Sequence, residues 1–485
     1  MTYVYPNWLS KQMMTGVKGF NIDAYLIALE GWRRGLTLKW YFDPEVVTDL
    51  KIIGSQPLGK TFSLQSDDKK HFFYRSRGEK VMNEAVSLTT SKEETKKYLH
   101  QSNVNTPESK GFTEEDNDEA ILKYGMDLGF PLVIKPICGS LGKGVVTNIQ
   151  NETELKDSIR YVRSELSYPD VLVERFVDGV DYRIYVAGDK VLAATKRLPA
   201  FVVGDGESSI EKLVEEKNNQ RKENPYLSKK TIAFDQDLFQ SIKKQGHILQ
   251  GIPELNELVY LKGQSNIAAG GEPIDVTDEI SPEVKNIAIQ AVKAIPGLEH
   301  AGVDVIVSNN HPTVIEINAT ADIGMHVFPL HGESRNVPEG IIDYYFPETK
   351  GMAQDRTQIF FDYKKIRELF VSKIVQEAVI PDAPKGKLYA KRYVISGKVQ
   401  KVGYRNWVRR QALKHHLNGY TRNLKNGKVV VVVGSEDKEA VDNFKEVCYK
   451  GPARAKVEDV QEYLWENQVC IGFEVRRKNK VAKNK

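Results

Sequence analysis

Two carboxylates and an amide, Asp304, Glu316 and Asn318, fall within the stretch AGVDVIVSNNHPTVIEINAT. The apolar runs on either side of SNNHP predict two strands, over 302–307 and 313–318, joined by an Asn-rich turn. Side chains two apart on a strand share a face. Glu316 and Asn318 therefore project together, and Asp304 meets them from the neighbouring strand. Such oxygen ligands among Val and Ile are costly unless a cation lies between them. A hard divalent ion suits them, and Mg²⁺ held by one or two carboxylates and completed by nucleotide phosphates is the usual arrangement. A polar hairpin edge facing water is the alternative.

A second set lies upstream. LVIKPICGSLGKGVVTNI reads as strand, glycine-rich loop, strand, with Lys135 on the first strand and Gly139, Ser140, Gly142, Lys143 and Gly144 in the loop over 138–144. Glycines let backbone N–H groups approach phosphate oxygens, and a lysine adds a point charge. Ser91 with Glu94 three residues on forms a capping box, opening a helix that carries Lys92. Another stretch, from Gly54 to Gly59-Lys60-Thr61, fits the phosphate-loop pattern G-x4-G-K-[ST]. That loop needs a helix opening at its lysine, whereas TFSLQSDDKKHFFY reads as strand, turn, strand.

The elements that must position these residues follow from hydrophobic period. Helices are predicted over 22–35, 152–166, 281–295 and 363–378, and residues 207–260 read as largely helical and charged. VLVERFV and DYRIYVAGDKVLAATKRL read as strands. IPDAPKGK reads as a Pro/Gly/Lys linker. Beyond it the order is strand (LYAKRYVIS), helix (406–417), strand (GYTRNL), strand (KVVVVVG), helix (438–449), strand (AKVEDVQEYLW), a ferredoxin-like βαββαβ arrangement.

Capped Lys92, strand Lys135, glycine loop, Glu174 and carboxylate hairpin, in that order, resemble the ATP-grasp superfamily over about residues 85–345. The stretches SKEETKKYLHQSNVNTP, LVERFVDGVDYRIYVAGDKVLAATKRLPAFVVGDG, NIAAGGEPIDVTDEISP and VIEINATADIGMHVFPLHGESRNV are similar to the ATP-grasp domain of cyanophycin synthetase. The resemblance implies two α+β lobes with ATP between them, preceded here by an N-terminal α/β region. It implies that Lys92 and Lys135 contact the α- and β-phosphates and that the loop over 138–144 closes on them. Glu174 and the backbone near Val177 would address adenine, and Asp181 the ribose or phosphates. Asp304, Glu316 and Asn318 would hold Mg²⁺, or Mn²⁺ in its place. The implied chemistry is phosphorylation of a carboxylate by ATP, then attack of an amine on the acyl phosphate, which needs positioning and charge stabilisation above all. Arg183, Lys196 and Arg197 are the candidates for steadying the transferred group. Residues 266–271, with Asn266, Gly270 and Gly271, and residues 325–335, with His326, His331 and Arg335, resemble the substrate-facing parts. Arg335 would pair with a substrate carboxylate through a bidentate fork, and the histidines are otherwise polar loop residues. The further domain that precedes this region in cyanophycin synthetase and the Mur-ligase-like domain that follows it are not recognisable, so its polymer and amino-acid specificity are not carried over.

In the last unit, SGKVQKVGYR followed by GYTRN, and then GPARAKVEDV, resemble acylphosphatase. By that likeness Arg405 and nearby backbone N–H groups cradle a phosphate and Asn423 orients the attacking water. Lys401 stands where the family expects glycine, and Gly403 where it expects a side chain. A lost glycine harms the cradle if positive φ is needed, whereas a lysine adds attraction for phosphate.

Composition sets the frame. The chain has 485 residues, 41% hydrophobic and 28% charged, as expected of a soluble protein of several domains. Six basic residues and no acid lie in 476–485, so the formal charge of +4 is a tail effect and the rest sums to about −2. No run approaches the ~20 apolar residues of a membrane span, no signal pattern opens the chain, and the three cysteines have neither metal nor disulfide spacing. The expectation is a cytoplasmic enzyme with amino-acid or peptide substrates and neither nucleic-acid nor membrane partner. Its divisions are an N-terminal region (1–85), an ATP-grasp domain (86–350), a helix and linker (351–387), an acylphosphatase-like domain (388–477) and a basic tail (478–485). A carboxylate–amine ligase is the leading reading. The rivals are a hydrolase with a regulatory ATP-binding domain and a non-catalytic nucleotide-binding regulator.

Overall fold

In the computed structural model, residues 3–45, 47–52, 58–139 and 143–476 are described. Residues 22–33 of the helix Asn21–Arg33 are all buried, Asp23, Glu30 and Arg33 included, the mark of a helix enclosed by protein. It lies on an antiparallel sheet ordered Glu377–Val379, Thr37–Tyr41, Thr61–Gln65, Lys70–Tyr74, Arg77–Gly78. The strand after Lys60 bears out the strand–turn–strand reading of TFSLQSDDKKHFFY; residues 54–57 of the phosphate-loop look-alike lie outside the described residues.

Two further sheets form the lobes. The first is Ser109–Phe112, Val171–Arg175, Leu132–Pro136, Val146–Ile149 in spatial order. Helices Asp118–Leu128 and Glu152–Arg160 cover it through Ile121, Leu155 and Ile159. The second is Glu272–Asp275, Lys190–Leu198, Val180–Ala187, His300–Ser308, His311–Asn318, antiparallel throughout. Strand alternation splits its side chains. Ile184, Val186, Ala194, Val303 and Val305 pack under helix Pro282–Ala294, leaving the opposite face for polar residues. Asn309 and Asn310 turn the last hairpin with φ of +48° and +65°, as a two-residue hairpin turn with both central residues left-handed requires. Residues 207–260 hold helices Ile210–Glu223 and Gln236–Lys244 and the short strand Leu258–Tyr260.

The C-terminal sheet runs Lys456–Leu464, Tyr389–Lys398, Val429–Ser435, Asn418–Asn423, with a fifth strand, Phe473–Arg476, added in parallel at its edge. Helices Tyr404–Lys414 and Lys438–Lys450 cover one face through Val408 and Phe444. The other face is not open. Ala390, Tyr420, Val430 and Val432 share a core with Tyr25, Trp32 and Phe361 of the N-terminal region, and Val469–Cys470 pairs in parallel with Ile359–Phe360.

The linker expectation for 351–387 therefore needs correction. The helix stops at Val371, because Lys373 takes a left-handed φ of +55°, a common helix terminator. Glu377–Val379 then joins the N-terminal sheet beside Thr37–Tyr41, and Ile380, Ala383 and Leu388 are buried. What composition marks as a tether is an edge strand and a packed crossing.

Candidate active site

A cleft of about 180 Å³ separates the two lobe sheets. Val133, Phe176, Val177, Ile306 and Ile315 make one wall apolar, while Lys92, Lys135, Lys143 and Glu316 make the other polar. The backbone N–H and C=O of Val177 have no partner among the described residues, which leaves an amide edge for a planar heterocycle. Gly139 lines the mouth, and Lys92 Nζ donates to its carbonyl at 3.2 Å. Gly144 has φ +72°, and a Cβ there would meet Pro136 at 2.9 Å, so only glycine fits. Ser140 and Gly142 lie outside the described residues.

Glu174 does not present a free carboxylate to a base. It is buried, with Lys135 Nζ at 2.5 Å from one oxygen and Lys96 Nζ at 2.5 Å from the other. Burial alone would raise its pKa, but the two lysines outweigh that and hold it low. Glu174 thus fixes Lys135 at the cleft wall, while Lys96, which does not line the cleft, braces Glu174 and donates to the Pro107 carbonyl at 2.9 Å. Lys96 was missed in the sequence, although it lies one helical turn from Lys92 on the same helix. Burial pushes its ammonium down to about 8, against the pull of Glu174.

An ammonium so poised holds Glu174, and through it Lys135, in place only while protonated. Affinity for ATP should therefore fall as pH rises through about 8, and Lys96→Met should remove that limb while lowering affinity about tenfold or more, one charge-assisted hydrogen bond. Nucleotide titrations across pH check both.

On the second sheet, cross-strand register aligns Asp275, Thr195, Arg183, Asp304 and Glu316 in one row. Arg197 pairs with Asp181 in the next row, Nη2 to Oδ1 2.6 Å. Arg183 grips Asp304 through both Nε and Nη2, and Arg197 Nη2 stands 3.4 Å from Asp304. Burial opposes the ionised form of Asp304, but both guanidiniums overcome it and keep the pKa low. At Asp181 burial prevails over Arg197, and the pKa is raised. Lys196 is placed elsewhere. It opposes Tyr182 and Ile274 and so faces the helix-covered side, away from Arg183 and Arg197. Period-two alternation separates them.

Glu316 opposes Asp304 and Asn318 opposes Gly302, so the three expected metal ligands share the active face. A Cβ on Gly302 would lie 2.6 Å from Ala321 Cβ and 3.2 Å from Arg183 Cδ, so its glycine lets the arginine in. Asp304 is committed to arginines, Glu316 makes no hydrogen bond or ion pair among the described residues, and the Asn318 amide nitrogen is buried without a partner. No three His, Cys, Asp or Glu side chains among the described residues converge as a ready metal centre. A carboxylate free of ion pairs beside an amide whose oxygen can ligate fits a hard cation completed by ligand oxygens.

The expected substrate residues are mostly engaged. His326 is fully buried, its Nδ1 2.7 Å from Thr195 Oγ1 and its Nε2 without a partner; burial and then Arg183 push its pKa down to about 3. It is a neutral imidazole buried on the active face against Thr195 rather than a surface loop residue. The Arg335 guanidinium already forks onto Asp275 (3.0 and 2.6 Å) and reaches Asp278 at 2.7 Å. Asn266 caps a short turn by accepting from Ala268 N–H, and Gly270 and Gly271 close that turn against the Leu198 carbonyl. His331 is exposed and faces Glu272 at 3.7 Å.

In the C-terminal domain the N–H groups of Lys401, Val402 and Gly403 have no partners among the described residues, ahead of helix Tyr404–Lys414. Lys401 holds φ +62°, so the left-handed backbone persists without glycine. Gln400 Nε2 donates to Leu424 O at 2.9 Å, which brings Asn423 beside the loop, and the Asn423 Oδ1 is buried without a partner. Arg405 lies at Arg476 O, 3.5 Å away, next to Arg422 across the parallel pair.

Family models for a RimK-like ATP-grasp domain match residues 89–206, for an ATP-grasp domain residues 250–321, and for acylphosphatase residues 391–475. Cyanophycin synthetase of Trichormus variabilis is 33% identical over 271 residues, 54% of this chain and 30% of its own. The glutathione biosynthesis bifunctional protein GshAB of Clostridium perfringens is 32% identical over 333 residues, 63% of this chain and 42% of its own. The chain thus spans less than half the length of these curated relatives. A solved bifunctional glutathione synthetase from Pasteurella multocida superposes with a TM-score of 0.47 at 28% identity, covering 61% of this chain and 41% of that one. Taken with the two lobes and their cleft, the family-model matches show an ATP-grasp region followed by a C-terminal acylphosphatase domain.

Proposed function

We propose that the chain is a Mg²⁺- and ATP-dependent ligase that joins the carboxyl group of one amino acid or short peptide to the amine of another. The reading is carried by one observation: Lys92 and Lys135, the latter clamped on Glu174, line an apolar cleft together with Glu316, which makes no ion pair among the described residues. The apolar wall and the Val177 backbone take adenine, and the lysines take phosphate oxygens. Glu316 and Asn318, with Asp304, would hold the divalent ion, which when bound offsets triphosphate charge. Arg183 and Arg197 stand beside it on the same face. They stabilise charge on the phosphoryl group as a carboxylate oxygen bonds to phosphorus and ADP departs. An amine then attacks the acyl carbon and phosphate leaves. No helix among the described residues is long and apolar enough to cross a membrane, and free Cys138, Cys448 and Cys470 suit a reducing, cytoplasmic setting. Screening amino acids and dipeptides for ADP release tests the reading. Release that requires an amine acceptor supports it, and release indifferent to every acceptor refutes it.

A second activity is favoured by the C-terminal loop. Its free N–H groups, the left-handed Lys401 and the orphaned Asn423 Oδ1 suit hydrolysis of an acyl phosphate, with water attacking phosphorus and a carboxylate leaving. Because the sheet is packed on the N-terminal core, the full-length chain is the right sample. Acetyl phosphate hydrolysis should be lost in Arg405→Ala and slowed more than weakened in Asn423→Ala. Lys401→Gly, which relieves a left-handed non-glycine residue, should leave the rate within about threefold.

A further inference from the structure

The matched family models begin at residue 89, so they assign nothing to the N-terminal region, yet that region grips the segment leaving the carboxylate hairpin. From Asn318 the chain passes Ala321, which lies against Gly302 beside Arg183, and reaches His326 on Thr195. Both ends of the segment therefore lie on the active face. Its middle is held from outside the sheet. Ser76 Oγ, itself buried, donates to Ala321 O, and Asp23 Oδ1 accepts from Ile323 N–H at 3.2 Å.

Asp23 sits in the first turn of helix Asn21–Arg33 and is fully buried. Its other oxygen takes Arg75 Nε and Nη2 at 3.1 and 2.9 Å. Arg75 covers the Phe20 ring at 3.8 Å and keeps φ +58°, a left-handed backbone that non-glycine residues seldom adopt. A buried carboxylate is expensive unless all its bonds are used. Here they are used to fix a backbone five residues from a candidate metal ligand.

We propose that Asp23 is a positioning residue of the ligase site, its carboxylate clasping the 319–326 segment so that Asn318 and His326 keep their places on the active face. Its effect on turnover rests on the ligase reading; the clasp does not. In the full-length chain, hydrogen–deuterium exchange should rise about tenfold in 319–326 for Asp23→Ala and for Ser76→Ala, the worth of one strong hydrogen bond. Strand Val180–Ala187 should stay protected in both. With amino acids present, kcat for ADP release should fall while KM for ATP holds, since the lysine end of the cleft is untouched. Wild-type exchange in both variants overturns the clasp. Raised exchange with unchanged kcat overturns the positioning role and leaves a structural tie. Should Asp23→Ala loosen the whole helix Asn21–Arg33, Ser76→Ala decides by the same two readings. A wild-type chain with no amine-dependent turnover sinks the ligase reading, while the exchange result still judges the clasp.

Discussion

Glu316→Gln should cut ADP release roughly a hundredfold or more and leave the melting curve where it was. The fold should survive because glutamine keeps the shape and Glu316 has no ion pair among the described residues to lose. The rate should fall because a cation that loses a charged ligand no longer offsets the triphosphate, a contribution of several kcal/mol. Asn318→Ala should act in the same direction without harming stability, since its amide nitrogen is buried unpaired. Asp304→Asn is the contrast. It leaves Arg183 and Arg197 buried beside a neutral group, and breaking such a pair costs about 3–5 kcal/mol. Unfolding should therefore accompany its loss of activity. Activity and melting temperature, measured together for the three variants, separate a metal ligand from a structural ion pair. A Glu316→Gln chain with near-normal turnover removes the metal assignment.

Cutting the chain after residue 350 should abolish folding of the N-terminal region as well as remove the acylphosphatase domain. The cut takes away Phe361, Tyr363, Ile366 and Phe370, which pack on Tyr25, Trp32 and Trp40. It also removes strand Glu377–Val379 and the carbonyls of Thr357 and Ile359 that satisfy the buried Arg33 at 2.7 and 2.9 Å. Losing one buried aromatic costs about 3–5 kcal/mol, against a total of about 5–15 kcal/mol for a domain. Three such losses, with the buried Ile366 at about 2–5 kcal/mol besides, match or exceed it. A soluble 1–350 fragment with a cooperative transition would show that the shared core is not needed.

Much of the site was legible because it is local. The two-residue spacing of Glu316 and Asn318, the Ser91–Glu94 capping box and the glycine loop each lie within a few residues of sequence. What was missed needs strand order or a distant partner. That Asp304 meets Arg183 follows only once the two strands that carry them are in register. The alternation that excludes Lys196 was nevertheless readable within its own strand. Lys96 was readable too, one turn from Lys92, but a lysine on a helix reads as solvated until Glu174 is placed beneath it. The linker misreading has the same root. Nothing in IPDAPKGK reports that a sheet lies on one side of it and a core on the other.

The central claim is an acyl phosphate made from a substrate carboxylate and ATP. Its most direct test is to label the carboxylate oxygens of an accepted substrate with ¹⁸O and to follow the label during amine-dependent turnover. A ligase of this kind transfers one labelled oxygen to each phosphate released and keeps the other in the new amide. Unlabelled phosphate, with ADP formed at the same rate, would mean that water rather than the carboxylate attacks ATP, and the ligase account would fall.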